Sequence, residues 1–255
     1  YTTEEAIAHF KQGRSYLRRA IKYFDRTGSD TEIEAKSELG RLYRDWMRLD
    51  LKKGDDEGAY DRKDLALQYL EEAYTISETQ QRLDDMANIL EDIARVHWAW
   101  KDREKAEAYL SRAEQVIPEE YKPRPGKGFT QVIEPVNPLW VALGKVYLLR
   151  ADILFNPDEY IGPLSENQIE ALLSSMEYRL LAVGCFEVYS PYSGSSRRME
   201  ETRKAMYDSL KRYGIPRLER LRHKMEEVGK KYDLNLQSVF DYIDRTMGFY
   251  FIVPD

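Results

Sequence analysis

The sequence predicts an all-α fold of about ten helices, and three observations carry that expectation. Charged residues make up 33% of the 255 positions, against roughly 25% in an average soluble protein. There are only 14 glycines and 10 prolines, below the roughly 12% average for the pair. Apolar residues recur at three- and four-residue spacing along most of the chain, the period of an amphipathic helix.

The first helix is expected over residues 3–27. Thr2 and Glu5 have the spacing of a capping box, Phe10, Leu17, Ala20, Ile21 and Phe24 line one face, and Gly28 can close the C-terminus. Ser29 with Glu32 opens a second helix to about Leu51. The acidic run Gly54 to Tyr60 reads as a loop, with an insert over 52–60. Helices follow at about 61–78 and 80–100, then a tight turn at Lys101-Asp102 and a fifth helix over 103–116. Five prolines and two glycines between 118 and 138 make a long helix implausible there, so this stretch reads as a connector. A sixth helix is expected over 138–154, a loop over 156–163, and a seventh helix from the Ser165/Gln168 cap to about Tyr189. After a loop at 190–196, three more helices are expected at 196–213, 216–232 and 235–247, before an apolar tail.

An internal repeat runs through these helices. Ala66, Leu70 and Ala73 recur 40 residues later as Ala106, Leu110 and Ala113. Leu39, Gly40 and Tyr43 hold places equivalent to Ile93, Ala94 and His97, with Leu90 one turn before, and Trp140, Leu143, Gly144 and Tyr147 open a third unit. Small residues belong where two helices cross closely, and large ones fill the space between helix pairs. The pattern resembles the tetratricopeptide repeat, a 34-residue pair of antiparallel helices. Trp140, Leu143, Gly144 and Tyr147 match its first-helix signature, W-x2-L-G-x2-Y, at every position. Residues 87–120 fit the repeat frame without a gap, with Pro118 as the closing proline. The resemblance covers roughly 30–155. Residues 156–255 read as a diverged helical region continuing the stack. The resemblance implies a right-handed α-solenoid in which no pair can bury its face alone.

It also implies where a partner would bind. In the family, the first helix of each pair lines a concave groove. Its ninth position falls on Arg41, Arg95 and Lys145, and its twelfth on Arg44, Trp98 and Leu148. The ninth-position column is basic in all three units. The expected partner is a protein or peptide bearing carboxylates and an apolar anchor, since Arg pairs bidentately with carboxylates and Trp is a rigid anchor. The same residues also read as solvated side chains whose stems shield the core. The Lys/Asn/Arg clamp of the family's chaperone-binding members is absent. Within the Pro-rich stretch, Lys122, Arg124 and Lys127 can serve either a connector or a partner surface.

The net charge of −6 hides a segregation. From Ser196 to Lys231 there are 12 Lys/Arg against 6 Asp/Glu. This stretch includes Arg197, Arg198, Arg203, Lys204, Arg220 and Lys224, a possible second basic face. It suits an acidic surface or nucleic acid, docking onto acidic residues of the same chain, or a solvated helix with i,i+4 pairs. No helix-turn-helix or aromatic RNA-binding motif accompanies it.

No catalytic constellation emerges. His9, His97 and His223 lie on three helices, outside any metal-site frame. His97 takes the repeat's Tyr position and is expected to be packed. Cys185 sits in the apolar run LLAVGCFEVY and is expected to be a buried, inert thiol. One cysteine supplies neither a disulfide framework nor a multi-cysteine metal site. The run RPGKG at 124–128 lacks the spacing of a phosphate loop. No stretch reaches 18 uncharged apolar residues, and no apolar segment follows a basic start, so neither a membrane span nor a signal peptide is expected. Starting at Tyr1 rather than Met, the chain reads as a piece of a larger protein. The functional expectation is therefore a cytoplasmic, non-catalytic interaction or sensor module without cofactor or metal. A stand-alone adaptor, or a nucleic-acid-associated helical protein using the 196–231 face, is the alternative.

Overall fold

The computed structural model describes residues 2–24, 31–127, 129, 137–156, 159, 164–188, 215–237, 240 and 241. Among these there are eight α-helices, one short 3-10 turn and no β-strand. The helices are α1 (Thr3–Phe24), α2 (Thr31–Lys53), α3 (Asp56–Thr79), α4 (Leu83–Ala99), α5 (Arg103–Val116), α6 (Leu139–Leu154), α7 (Glu166–Val188) and α8 (Ile215–Tyr232). Neighbouring helices pack in pairs, most extensively α2 with α3, α4 with α5 and α6 with α7. The chain divides into two compact units, Tyr1–Val116 and Ile117–Asp255. The expected third repeat, on α6, thus falls in the second unit. The expected helix at 196–213, most of that at 235–247, and the apolar tail lie outside the described residues.

In the first unit, helix ends follow local chemistry. Thr2 and Glu5 form the expected reciprocal cap: the Thr2 amide donates to the Glu5 carboxylate at 2.7 Å, and the Glu5 amide to the Thr2 hydroxyl at 3.2 Å. Helices α2, α3 and α4 share one ending. A residue in the left-handed region follows each: Gly54 (φ 74°), Gln81 (φ 56°) and Lys101 (φ 67°). Its amide and the next fold back onto the last turn, for example Lys101 to the Trp98 carbonyl at 3.0 Å and Asp102 to His97 at 2.9 Å. This satisfies carbonyls a helix end leaves open. Such compact links reverse the chain in two or three residues.

The sequence reading of 54–60 as a loop is corrected here. The link between α2 and α3 is only Gly54 and Asp55, and α3 starts at Asp56. The Asp55 carboxylate accepts from the Gly58 amide at 2.9 Å, and Asp56 and Glu57 sit where a helix N-terminus favours anions. The extra residues lengthen the pair, giving helices of 23 and 24 residues.

The small positions of the repeat lie at close crossings. A Cβ on Gly40 would stand 2.6 Å from Leu70 Cγ, so α2 and α3 approach where Gly40 faces Leu70 and Ala66. Leu39, Met47, Leu70, Ala73, Leu110 and Ala113 are fully buried. Burying a Leu or Met side chain contributes about 1.5–3 kcal/mol each. Helix α1 contributes no fully buried residue. It adds Leu17 and Ile21 at the core's margin and stacks Phe10 on Trp46 at 5.6 Å.

In the second unit, Trp140, Leu143 and Tyr147 are buried, and Gly144 lies where a Cβ would meet the Phe186 ring at 2.5 Å. Part of the Pro-rich stretch is packed rather than a bare connector. Tyr121 and Phe129 both contact the Trp140 ring. Leu221, Met225 and Val228 of α8 join a core with Leu172, Met176 and Leu180 of α7. The expected Ser165/Gln168 cap is present, with the Ser165 amide donating to Gln168 Oε1 at 2.8 Å.

Candidate functional site

Helices α2 and α4 share a charged face that contains four of the six expected groove residues. Arg41 and Arg44 lie one turn apart on α2. Both donate to one carboxylate on α4: Arg41 Nε to Asp92 Oδ2 at 2.6 Å, and Arg44 to Asp92 Oδ1. The Asp92 side chain is only 5% exposed. Arg41 also pairs with Glu38, and Arg44 with Asp45 at 3.0 Å. On α4, Arg95 pairs with the buried Glu91. Burial works against charge on Arg41 and Arg44, but neighbouring carboxylates outweigh it and hold both pKa values above the ordinary arginine value. The leading contributor at each is Asp92.

The guanidinium groups are therefore fixed rather than free. Their side chains remain 28%, 13% and 32% exposed at Arg41, Arg44 and Arg95. Each side chain keeps some solvent exposure while part of its guanidinium is engaged. Trp98 is half-buried and does not line the cleft described below. Lys145 and Leu148, the remaining groove residues, are half-buried on α6 in the second unit.

Beside this face lies a cleft of about 840 Å³ that sequence reasoning missed. Leu51 of α2 and Ala99 of α4 line it, with Tyr60 of α3 and Trp100 at the end of α4. The two rings meet edge to face at 6.1 Å. The Lys63 ammonium lies 4.7 Å from the Trp100 ring centre and 5.0 Å from that of Tyr60. Arg48, Lys52 and Lys101 stand at the margin, as do Asp56 and Glu57. The sequence signal is Trp100 itself, two residues beyond Trp98, the last of the expected groove positions on α4.

The second basic face is described only in part. Arg197, Arg198, Arg203 and Lys204 lie outside the described residues. Arg220 donates to Glu166 at 3.2 Å and to Glu170, both at the start of α7. Lys224 pairs with Glu227 on its own helix at 3.3 Å. In the Pro-rich stretch, Lys122 pairs with Glu119, and Arg124 donates to the Glu119 carbonyl at 3.3 Å.

His97 and Cys185 sit as expected. His97 is 6% exposed and stacks on Tyr109 at 5.3 Å. Burial lowers its pKa, Lys105 and Lys63 push the same way, and Asp102 opposes them. Cys185 is fully buried, and burial pushes its thiol pKa well up. Among the described residues, no group of three or more His, Cys, Asp or Glu is placed to hold a metal. Nor is any described helix long and apolar enough to cross a membrane.

No protein-family model matches the chain, and no curated protein matches it. Among solved structures it is similar to the crystal structure of BtubC (BKLC) from P. vanneervenii, at 14% identity with a TM-score of 0.39. That similarity covers 100% of this chain and 95% of the other.

Proposed function

We propose that this chain is a cytoplasmic, non-catalytic interaction module, a right-handed solenoid of tetratricopeptide-like pairs serving a larger signalling or regulatory assembly. It takes a carboxylate-bearing protein or peptide on the α2–α4 face. The observation that carries the reading is the fixed arginine set. Arg41, Arg44 and Arg95 are held by Asp92 and Glu91, both nearly buried. Burying carboxylates is expensive, and an apolar contact of the same volume is often as stable. Retaining them fits a role in aiming the arginines, which lowers the ordering cost a partner meets. A bound carboxylate meets the exposed part of these side chains while Asp92 and Glu91 keep hold of them.

The test compares the immobilised full chain with its Arg41→Gln plus Arg95→Gln variant for partner capture. Arg220→Gln, in the second unit, serves as the control, and circular dichroism checks helix content. Loss of the captured partner only in the double variant supports the reading. Unchanged capture contradicts it.

A further inference from the structure

The cleft continues the arginine face toward the C-terminal ends of α2 and α4. On α2, Arg41, Arg44, Arg48 and Leu51 follow at offsets of three, four and three residues, which places them along one helix face. A partner lying on that face reaches the cleft next. Its volume of about 840 Å³ falls within the roughly 300–1,000 Å³ of small-ligand sites and comfortably admits one large side chain. Tyr60 is 52% exposed, and Trp100 and Leu51 are half-buried. These apolar surfaces remain in contact with water.

Charge selects what can enter. Lys63 already lies over both rings, so an incoming cation would meet a like charge there. Arg48 and Lys52 line the cleft with exposed side chains, and Lys101 stands at the turn after α4. Asp56 and Glu57 line it too, at the start of α3, where the helix dipole offsets part of their charge. Three cations thus line the cleft against two carboxylates, with Lys63 over the rings.

We propose that this cleft is the anchor site for a partner peptide carrying one large apolar side chain flanked by Asp or Glu. The side chain packs against the Tyr60 and Trp100 rings, over Leu51 and Ala99. The flanking carboxylates pair with Arg48 and Lys52, whose side chains are exposed. This inference rests on the interaction-module reading and names its partner chemistry.

The test follows the indole N–H signals of the isotope-labelled full chain, with the Trp100 signal assigned through Trp100→Phe. The probes are blocked five-residue peptides with a central Phe flanked by Glu, by Lys or by Ala, and a Glu-flanked peptide with a central Ala. The Glu-flanked Phe peptide is expected to shift the Trp100 signal saturably. The other three should bind on the order of tenfold more weakly. Arg48→Glu with Lys52→Glu, both on exposed side chains, should produce the same loss with helix content unchanged. No shift of Trp100, or equal binding by the Lys- or Ala-flanked Phe peptide, overturns the inference. Retained peptide binding in the Arg41→Gln plus Arg95→Gln variant supports the cleft even where partner capture shows the arginine reading to be wrong.

Discussion

Gly40→Ala asks whether the α2–α3 crossing is as close as described. In an exposed helix interior the change would stabilise by about 1 kcal/mol, because glycine is the poorer helix former. At this crossing the new Cβ stands 2.6 Å from Leu70 Cγ, 2.9 Å from Cδ2 and 3.2 Å from the Ala66 carbonyl oxygen. Carbon atoms prefer separations of about 3.5–4.0 Å. The closest clash is at a branch carbon of a fully buried leucine, not at the far end of a flexible chain. Overpacking of that kind costs about 1–3 kcal/mol. Placed near its upper end, it outweighs the propensity gain, and the net expectation is destabilisation by about 2 kcal/mol. Urea unfolding followed by circular dichroism measures it. Leu70→Ala provides the control, since the Gly40→Ala penalty should shrink to near zero in that background. A Gly40→Ala protein more stable than wild type by about 1 kcal/mol would refute the close crossing.

Three further outcomes follow from the same geometry. Gln81→Gly should stabilise by about 0.5 kcal/mol in urea unfolding, because an exposed non-glycine residue holds φ 56° there; a loss of stability would contradict the turn. Asp92→Ala should cost about 2–3 kcal/mol, since it removes the shared buried partner of two partly buried guanidinium groups. Arg41→Ala should cost less, about 1 kcal/mol, because Arg44 still serves Asp92; the reverse order would rule out the shared carboxylate. His97 carries a folded-state pKa below its unfolded value of about 6.5. Its stabilising contribution is therefore present above that value and lost as pH falls through the folded pKa, by up to about 1.4 kcal/mol per pH unit. His97→Gln should lose less stability than wild type between pH 7.5 and 5.5 (roughly the window set by that ordinary value), and equal losses would contradict the buried neutral imidazole.

The helices and their small-residue crossings were legible because they depend on local periodicity. Gly40 facing Leu70, and Gly144 facing Phe186, are the places the repeat spacing marked. The 54–60 segment was misread because Gly54, Gly58 and three acidic residues look like a loop in composition. The difference lies in position: Gly54 closes one helix, and Asp55 caps the next three residues ahead of Gly58. The arginine column was legible as a row of charges, but its partners were not. Asp92 lies 51 and 48 residues from Arg41 and Arg44. Only the register of α4 against α2 brings it between them. The cleft was hidden for a similar reason. Its walls come from three helix ends, and Trp100 reaches it because Lys101 turns the chain immediately afterwards.

The central claim is that Arg41, Arg44 and Arg95 are held in place before a partner arrives and then engage it. The guanidinium Nε–H signals of these residues measure both parts in one nuclear magnetic resonance experiment. Their assignment comes from single Gln substitutions. Three separate, slowly exchanging signals in the free protein, which move together when the captured partner is added, are the predicted result. Signals averaged with bulk arginine, or held signals that stay still while that partner binds, would contradict the account.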